Sequence, residues 1–430
     1  MNKKYLILAI AVSALIILGI ILLLSNRKEP ETQVLNFVTY NEDEANLKDL
    51  IAEFEAATGA QVNFQKIDLA SYEVESLNLL STGKIDVWGL PNNWIYKHHD
   101  KLSSASILSA TDYQSIYPAV IAQENIIDSQ IYGLPLSFDS LVLFYNSSLK
   151  QRPKDQELTD AEEEIFSKNP SNWDEFSQQV QILASAKEPT ISYSPAAIGT
   201  ETIPAASDIL TLLMLQYGTQ MTSDDNTQAT FHTSVNKFGG ENYPGAKALD
   251  FYTSFAKKDH PNYAFPKTIG DPLRAFGENK ITYYLDFSNK ESEIKLINPD
   301  LNYSILAIPQ VKETKNPVNL ISYETFTVPK TSVNQTLAWQ FIDFLTDKKS
   351  VQKYLQKSKK HSAFLEDLAG VSEVVEKSVS SALSWANPDA IQTQRIFNQA
   401  IADVLGGQSP QTVLEGAALQ VTTLLEKIKP

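Results

Sequence analysis

The chain has 430 residues and no cysteine, which leaves no disulfide, thiolate metal site, cysteine nucleophile or lipidated cysteine. Its 51 acidic residues outnumber 36 basic ones, for a formal charge of −15. With no Lys/Arg cluster to meet phosphates, that balance excludes a nucleic-acid partner, and the length suffices for two domains of ordinary size.

From Tyr5 to Leu24 the chain carries no charge. At about 1.5 Å per residue such a helix reaches across the roughly 30 Å hydrocarbon core of a bilayer. The rival reading, a cleaved signal peptide, calls for a shorter apolar region followed by small residues at a cleavage site. Leu22-Leu23-Leu24-Ser25-Asn26-Arg27-Lys28 offers none. The pattern predicts a transmembrane signal anchor over 5–24, a polar stalk over 25–32 that contains Pro30, and a single-pass location at the cell membrane. Lys3 and Lys4 on one side and Arg27 and Lys28 on the other leave only the free amine to set its orientation.

Val34 to Tyr40 reads as a first strand. The spacing of Leu47, Leu50, Ile51 and Phe54 predicts a helix over 44–58 that Gly59 ends. Val62 to Ile67 returns as a second strand, completing the β-α-β opening of an α/β lobe with a parallel sheet. Lys84 to Val87 enters a third strand that runs through Trp88-Gly89-Leu90-Pro91 into the turn residues Asn92 and Asn93. Ligands bind in such loops at the carboxyl ends of strands. Helical pattern continues to about Ala122. Then Ile131 to Asn146 makes a glycine-proline entry into a nearly unbroken apolar run with one carboxylate, Asp139, inside it. Such a run suits a strand covered on both faces, where a lone carboxylate needs a partner, either a side chain or a ligand.

The acidic stretch from Gln151 to Lys168 has no face to bury and no calcium-loop spacing, so it reads as a solvated excursion. Asn172 and Glu175 form the ends of a capping box. An apolar helix is expected over 207–221, a loop at Gly239, Gly240 and Pro244, and a helix over 246–257. Strands follow over 281–287, 302–309 and 321–329, then a helix over 335–345 with Ala338, Trp339, Phe341, Ile342 and Leu345 on one face. Amphipathic helices over 391–404 and 410–428 close the chain.

Three of these segments carry a resemblance: the hinge-like run Ile131 to Asn146, the Asp86-Val87-Trp88 to Trp94 turn, and Ala338-Trp339-Gln340-Phe341-Ile342-Asp343-Phe344-Leu345. They are similar to the family 1 extracellular solute-binding proteins, the maltose-binding-protein-like receptors of ABC importers. The resemblance covers nearly all of the chain after the stalk. It implies a two-lobed α/β periplasmic-binding-protein-like fold with hinge-crossing strands, here preceded by an N-terminal transmembrane helix. It also implies that the folded part lies on the extracytoplasmic side. The first lobe is expected over 33–136 and 309–328, the second over 137–307 and 330–430.

Function follows as an expectation: capture of a sugar or oligosaccharide between the lobes by a monomer, without a cofactor, and delivery to ABC permease subunits. A membrane-anchored sensory or adhesive module is the alternative from the same residues. A two-carboxylate glycosidase fits the abundance of acids, but no zinc-binding H-E-x-x-H, nucleophile elbow or P-loop is present among the five histidines and the glycines. The pair His98-His99 reads as helix surface.

Sugar rings offer apolar faces and hydroxyl rims, so aromatic platforms flanked by polar side chains suit them. Asp139 is the first candidate, either touching ligand or paired at the hinge. The resemblance places Tyr40, Asn41 and Glu42 at the cleft after the first strand; an ordinary exposed turn is the plain alternative. Asn92 and Asn93 sit on the next such loop, though Asn after Pro is also common turn chemistry. Trp88 can enter the core or the cleft, whereas Trp94, Trp173 and Trp339 read as core. Phe287 occupies a position where the family often holds a stacking Trp, and Tyr323 and Glu324 lie near a second aromatic or polar contact. Trp385, in a loop outside any periodic face, completes the set.

Overall fold

The computed structural model describes residues 32–151, 157–235, 242–312, 314–368 and 372–428. The chain opens with β1 (Val34–Thr39), α1 (Glu44–Thr58) and β2 (Gln61–Lys66). α1 buries Leu47, Leu50, Ile51 and Phe54, and it stops at Gly59, whose φ of 75° is the left-handed geometry a residue without Cβ enters freely. α2 (Leu69–Ser81) leads to β3 (Val87–Pro91), which pairs in parallel with β1 on the edge opposite β2. Side chains alternate across this sheet. Leu35 and Phe37 enter one core with Leu47 and Phe54, while Val38, Trp88 and Leu90 enter another on the opposite face with Tyr72 and Trp94. Two short strands follow, β4 (Leu102–Ser103) and β5 (Leu134–Pro135).

β6 (Ser137–Tyr145) is buried along its whole length and joins the two lobes. Its second half belongs to a sheet in the order β9-β6-β8-β7, made with β7 (Ser194–Ala197), β8 (Ile281–Phe287) and β9 (Ser304–Leu306). This sheet and the helices α3 (Trp173–Ala186), α4 (Ala206–Gln216) and α5 (Pro244–Ser254) enclose the core of the second lobe. The first half of β6 pairs instead with β10 (Ile321–Ser322), setting Asp139 opposite Ser322. β11 (Glu324–Pro329) then inserts antiparallel between β3 and β4. After α6 (Gln335–Thr346) and α7 (Lys348–Ser358), β12 (His361–Ser362) also pairs with the start of β6.

The expected lobe boundary after Lys330 differs from the structure. Leu337, Trp339, Phe341, Ile342, Val351, Tyr354 and Val379 all lie in the first-lobe core with Phe37 and Phe54. Only α8 (Ala390–Leu405) and α9 (Pro410–Lys427) return to the second lobe, so the chain crosses a third time near Leu383 to Asp389. Periodicity identifies the apolar face of α6 but not the sheet that covers it. The excursion read as solvated contains a helix, Asp160–Ser167, with a full capping box from Thr159 and Glu162, and Phe166 is buried. His98 is also buried rather than on a surface, with its ring against Trp88 and Trp94.

The transmembrane helix expected over 5–24 lies outside the described residues, as do Gly239, Gly240 and all of the stalk but Thr32. Among the described residues no helix is long and apolar enough to cross a membrane. The longest described helix, α9, is amphipathic, exposing Glu415, Leu419 and Lys427 while burying Leu414, Val421 and Leu425. The membrane anchor, the single-pass location and the membrane as a partner therefore have no support among the described residues, whose architecture is two α/β lobes and their crossing strands.

Candidate functional site

Where β1, β6, β11 and the segment after α7 meet, three carboxylates are packed around one lysine. Lys360 Nζ lies 2.8 Å from Glu42 Oε1, and the Tyr354 hydroxyl donates to Glu42 at 2.8 Å. Glu324 Oε1 accepts from Thr39 Oγ1 at 2.6 Å and from the Tyr40 backbone N–H at 3.3 Å, while its Oε2 is buried without a partner. Asp139 Oδ1 accepts from Ser288 Oγ at 3.2 Å. Burial, reinforced by the Glu42 charge, pushes the Glu324 carboxyl up to about 8. Burial raises Asp139 to about 6, against the opposing pull of Lys360. Gly89 leaves the room for this arrangement, because a Cβ there would stand 2.0 Å from Glu324 Oε1.

Beside this cluster the lobes enclose a cavity of about 220 Å³. The first lobe contributes Tyr40, Asn92, Asn93 and Glu124; the second contributes Asp208, Thr211, Phe287 and Gln394. The crossing segments add Ser322, Ser384, Trp385 and Asn387, and among the described residues no Lys, Arg or His lines it. Glu124 is held by three neutral donors: Asn92 Nδ2 at 3.0 Å and the hydroxyls of Tyr323 and Ser384. Burial raises its carboxyl above the usual range. Asp208, at the start of α4, is raised to about 7 by burial and by the charge of Asp286. Across the mouth, Lys97 of the first lobe meets Asp389, the N-cap of α8, at 2.7 Å. Ala390 and Ile391 pack there against the first-lobe core that holds Trp94.

Of the residues expected at the site, Tyr40, Asn92, Asn93, Phe287 and Trp385 line this cavity. Asp139, Glu42 and Glu324 lie in the hinge cluster behind it, and Asn41 is not on the wall. Its backbone N–H donates to Thr39 Oγ1 at 3.3 Å, the bond of a turn. Trp88 is core, fully buried with Val38, Tyr72 and Trp94. Tyr323 is also core, and its hydroxyl donates to Glu124 from behind the wall. Trp94, read as core, is buried but also reaches the cavity. Glu124 and Asp208 went unforeseen. Asp208 carried the same signal as Asp139, a lone acid in an apolar run, whereas Gln123-Glu124-Asn125 resembles any helix surface. Among the described residues no group of three or more His, Asp or Glu is placed to hold a metal.

The sequence signature of the bacterial extracellular solute-binding proteins matches residues 49–373. The galactooligosaccharide-binding protein of Bacillus subtilis (strain 168) is 22% identical over 397 residues, covering 86% of this chain and 85% of its own. A solute-binding protein of an ABC transporter from Thermotoga lettingae, solved with α-D-tagatose, superposes with a TM-score of 0.70 at 20% identity, over 92% of this chain and 100% of that one. The sugar-binding protein of Xanthomonas citri superposes with a TM-score of 0.73 at 17% identity, over 92% of this chain and 98% of that one. At such identities the superpositions speak for the two-lobed fold, and the signature, spanning most of the chain from α1 to the end of the first lobe, speaks for descent. This chain belongs to the bacterial extracellular solute-binding proteins.

Proposed function

We propose that the cleft captures a carbohydrate and presents it to the membrane permease of an ABC importer. The observation that carries this reading is the composition of the wall. Tyr40, Phe287 and Trp385 offer ring faces, while Asn92, Asn93, Ser322, Ser384 and Asn387 offer uncharged hydrogen-bonding groups. Glu124 and Asp208 add carboxylate acceptors for hydroxyls, and the described lining residues include no cation to attract an acidic solute. The sugars named for the Bacillus, Thermotoga and Xanthomonas proteins support the same class.

Capture works by population shift: a solute touching both walls favours the closed arrangement over the open one by its extra contacts. The Lys97–Asp389 pair and the packing of Ile391 join the two lobes and support such a closed arrangement. No bond of the solute changes. The test is a panel of mono- and oligosaccharides, uronic acids, amino acids and polyamines added to the full chain, read by melting temperature and tryptophan fluorescence. A neutral saccharide is expected to raise the melting temperature by mass action. Response to an amino acid or polyamine with none to any saccharide overturns the reading.

A further inference from the structure

The cavity between the lobes carries charge of one sign. Glu124 faces it from the first lobe and Asp208 from the second, and among the described residues no Lys, Arg or His shares the lining. The lysines around it are committed elsewhere. Lys97 is paired with Glu73 and Asp389 at the mouth, and Lys360 with Glu42 in the hinge cluster. Lys290 acts on Asp286, behind Asp208.

The two acids differ in what they have left to offer. Both oxygens of Glu124 already accept from the protein, Oε1 from Asn92 Nδ2 at 3.0 Å and from the Ser384 hydroxyl, Oε2 from Asn92 Nδ2 at 3.1 Å and from the Tyr323 hydroxyl. Those donors are neutral, so its hydrogen bonding is satisfied while its charge is not. Asp208 lies in the first turn of α4, where the helix dipole favours an anion. Its own backbone N–H is the one donor it has among the described residues, and the charge acting on it is that of Asp286. Asn93 Oδ1, on the same lining, is buried without a partner. The unspent capacity of this wall is therefore acceptor capacity, together with negative charge that no neighbouring cation offsets.

A sugar hydroxyl answers half of that. It donates one hydrogen bond but leaves the charge as it was, and a carboxylate enclosed without a cation is costly. An ammonium group answers both needs, with three N–H donors and no acceptor, and its bond to a carboxylate is about twice as strong as one between neutral groups. The ring faces of Tyr40, Phe287 and Trp385 suit a ligand that combines the two, because an apolar sugar face packs on them and a cation is drawn to them. A metal ion is the poorer occupant, since among the described residues no group of three or more His, Asp or Glu is placed to hold one.

Building on the carbohydrate reading, we propose that the cleft selects an amino sugar, a saccharide bearing a free protonated amine, with the ammonium bonded to Asp208 and Glu124 acting on it through charge. Asp208 is then the residue that separates amino sugars from their neutral counterparts.

The full chain is titrated calorimetrically with glucosamine, N-acetylglucosamine and glucose, with the corresponding galactose series, and with the chitosan disaccharide, its N-acetylated form and cellobiose. Within the series that binds, the free amine is expected to bind at least about tenfold tighter than the hydroxyl and N-acetyl forms. Asp208→Asn, which keeps the shape and removes the charge, is expected to bring the ratio of amine to hydroxyl affinity below about threefold. Asp259→Asn makes the same change of charge at an exposed position of the second lobe outside the cleft, and the ratio should persist there. Should Asp208→Asn not fold, Asp208→Ser reads the same ratio. Hydroxyl or N-acetyl forms that bind the unaltered chain as tightly as the amine, or a ratio that survives loss of the Asp208 charge, overturn the inference and leave the carbohydrate reading standing. Failure of every saccharide, charged or neutral, to bind overturns both.

Discussion

Around the start of β6, Glu42, Asp139, Glu324 and Lys360 are packed against one another and against protein hydroxyls. On the neighbouring wall, Asn92, Asn93, Glu124, Asp208 and Trp385 face a cavity. Both regions are rich in acids, yet they differ in where the hydrogen-bonding capacity goes. In the hinge cluster most of it is consumed inside the protein, leaving Glu324 Oε2 as the exception. On the wall Asn92 and Ser384 are spent on Glu124, but Asn93 Oδ1 is buried without a partner and is left for a visitor. On the proposed function, buried charge at the hinge should govern stability and its dependence on pH, and the half-buried wall should govern affinity.

The largest effect expected from breaking this division is Lys360→Met. It strips the one lysine from beside Glu42, whose side chain is almost wholly buried, and loss of one partner from a buried pair costs about 3–5 kcal/mol. Denaturant unfolding at neutral pH reads that loss; a cost below about 1 kcal/mol would show that the cluster is solvated and the distinction false.

A smaller effect is the pH dependence of the same cluster. Asp139 at about 6 and Glu324 at about 8 are raised above the ordinary carboxylate range, so between those limits the folded state binds more protons than the unfolded one. Their stabilising contribution is complete below about pH 4 and is lost as pH rises, through about 6 for Asp139 and about 8 for Glu324. The melting temperature should fall between about pH 4 and about pH 8 by this route, and Glu324→Gln should flatten the part of that fall above about pH 6. Glu42, Tyr40 and Lys360 face Glu324 and remain in the variant. An unchanged slope would remove Glu324 from the account.

Much of this division is visible in the residues before any coordinates. The glycine-proline entry and unbroken apolar run of β6 announce a doubly covered strand, and Asp139 inside it demands a partner. That partner proves to be Ser288, with Lys360 close enough to act through charge, both far away in sequence. Which alternative an isolated acid adopts depends on side chains that tertiary packing brings in, and spacing along the chain does not report them. Trp385 was legible as an aromatic without a periodic face, and it lines the cavity. Trp88 looked equally free, but strand alternation turns it into the core beside Val38. Glu124 gave no signal, because its setting is created by Asn92, Tyr323 and Ser384 from three other parts of the chain.

The smallest effect is expected at the mouth of the cleft. Lys97→Met removes a partly buried pair with Asp389 that spans the lobes. The loss should be about 1 kcal/mol, seen as a shift toward the open arrangement in small-angle scattering of the ligand-free chain. No change in the scattering profile would mean that the pair does not bias closure.

Calorimetric titration of the best-binding saccharide into Trp385→Ala and Asp139→Asn, beside the unaltered chain, tests the separation of wall from hinge most directly. The account predicts at least a tenfold loss of affinity for Trp385→Ala, about 1.4 kcal/mol, with a smaller loss of unliganded stability than Lys360→Met, since Trp385 is only half-buried against the second-lobe core. Asp139→Asn should bind within about threefold of the original, a difference under ~1 kcal/mol. The reverse order, with Trp385→Ala binding normally and Asp139→Asn losing the sugar, would contradict it.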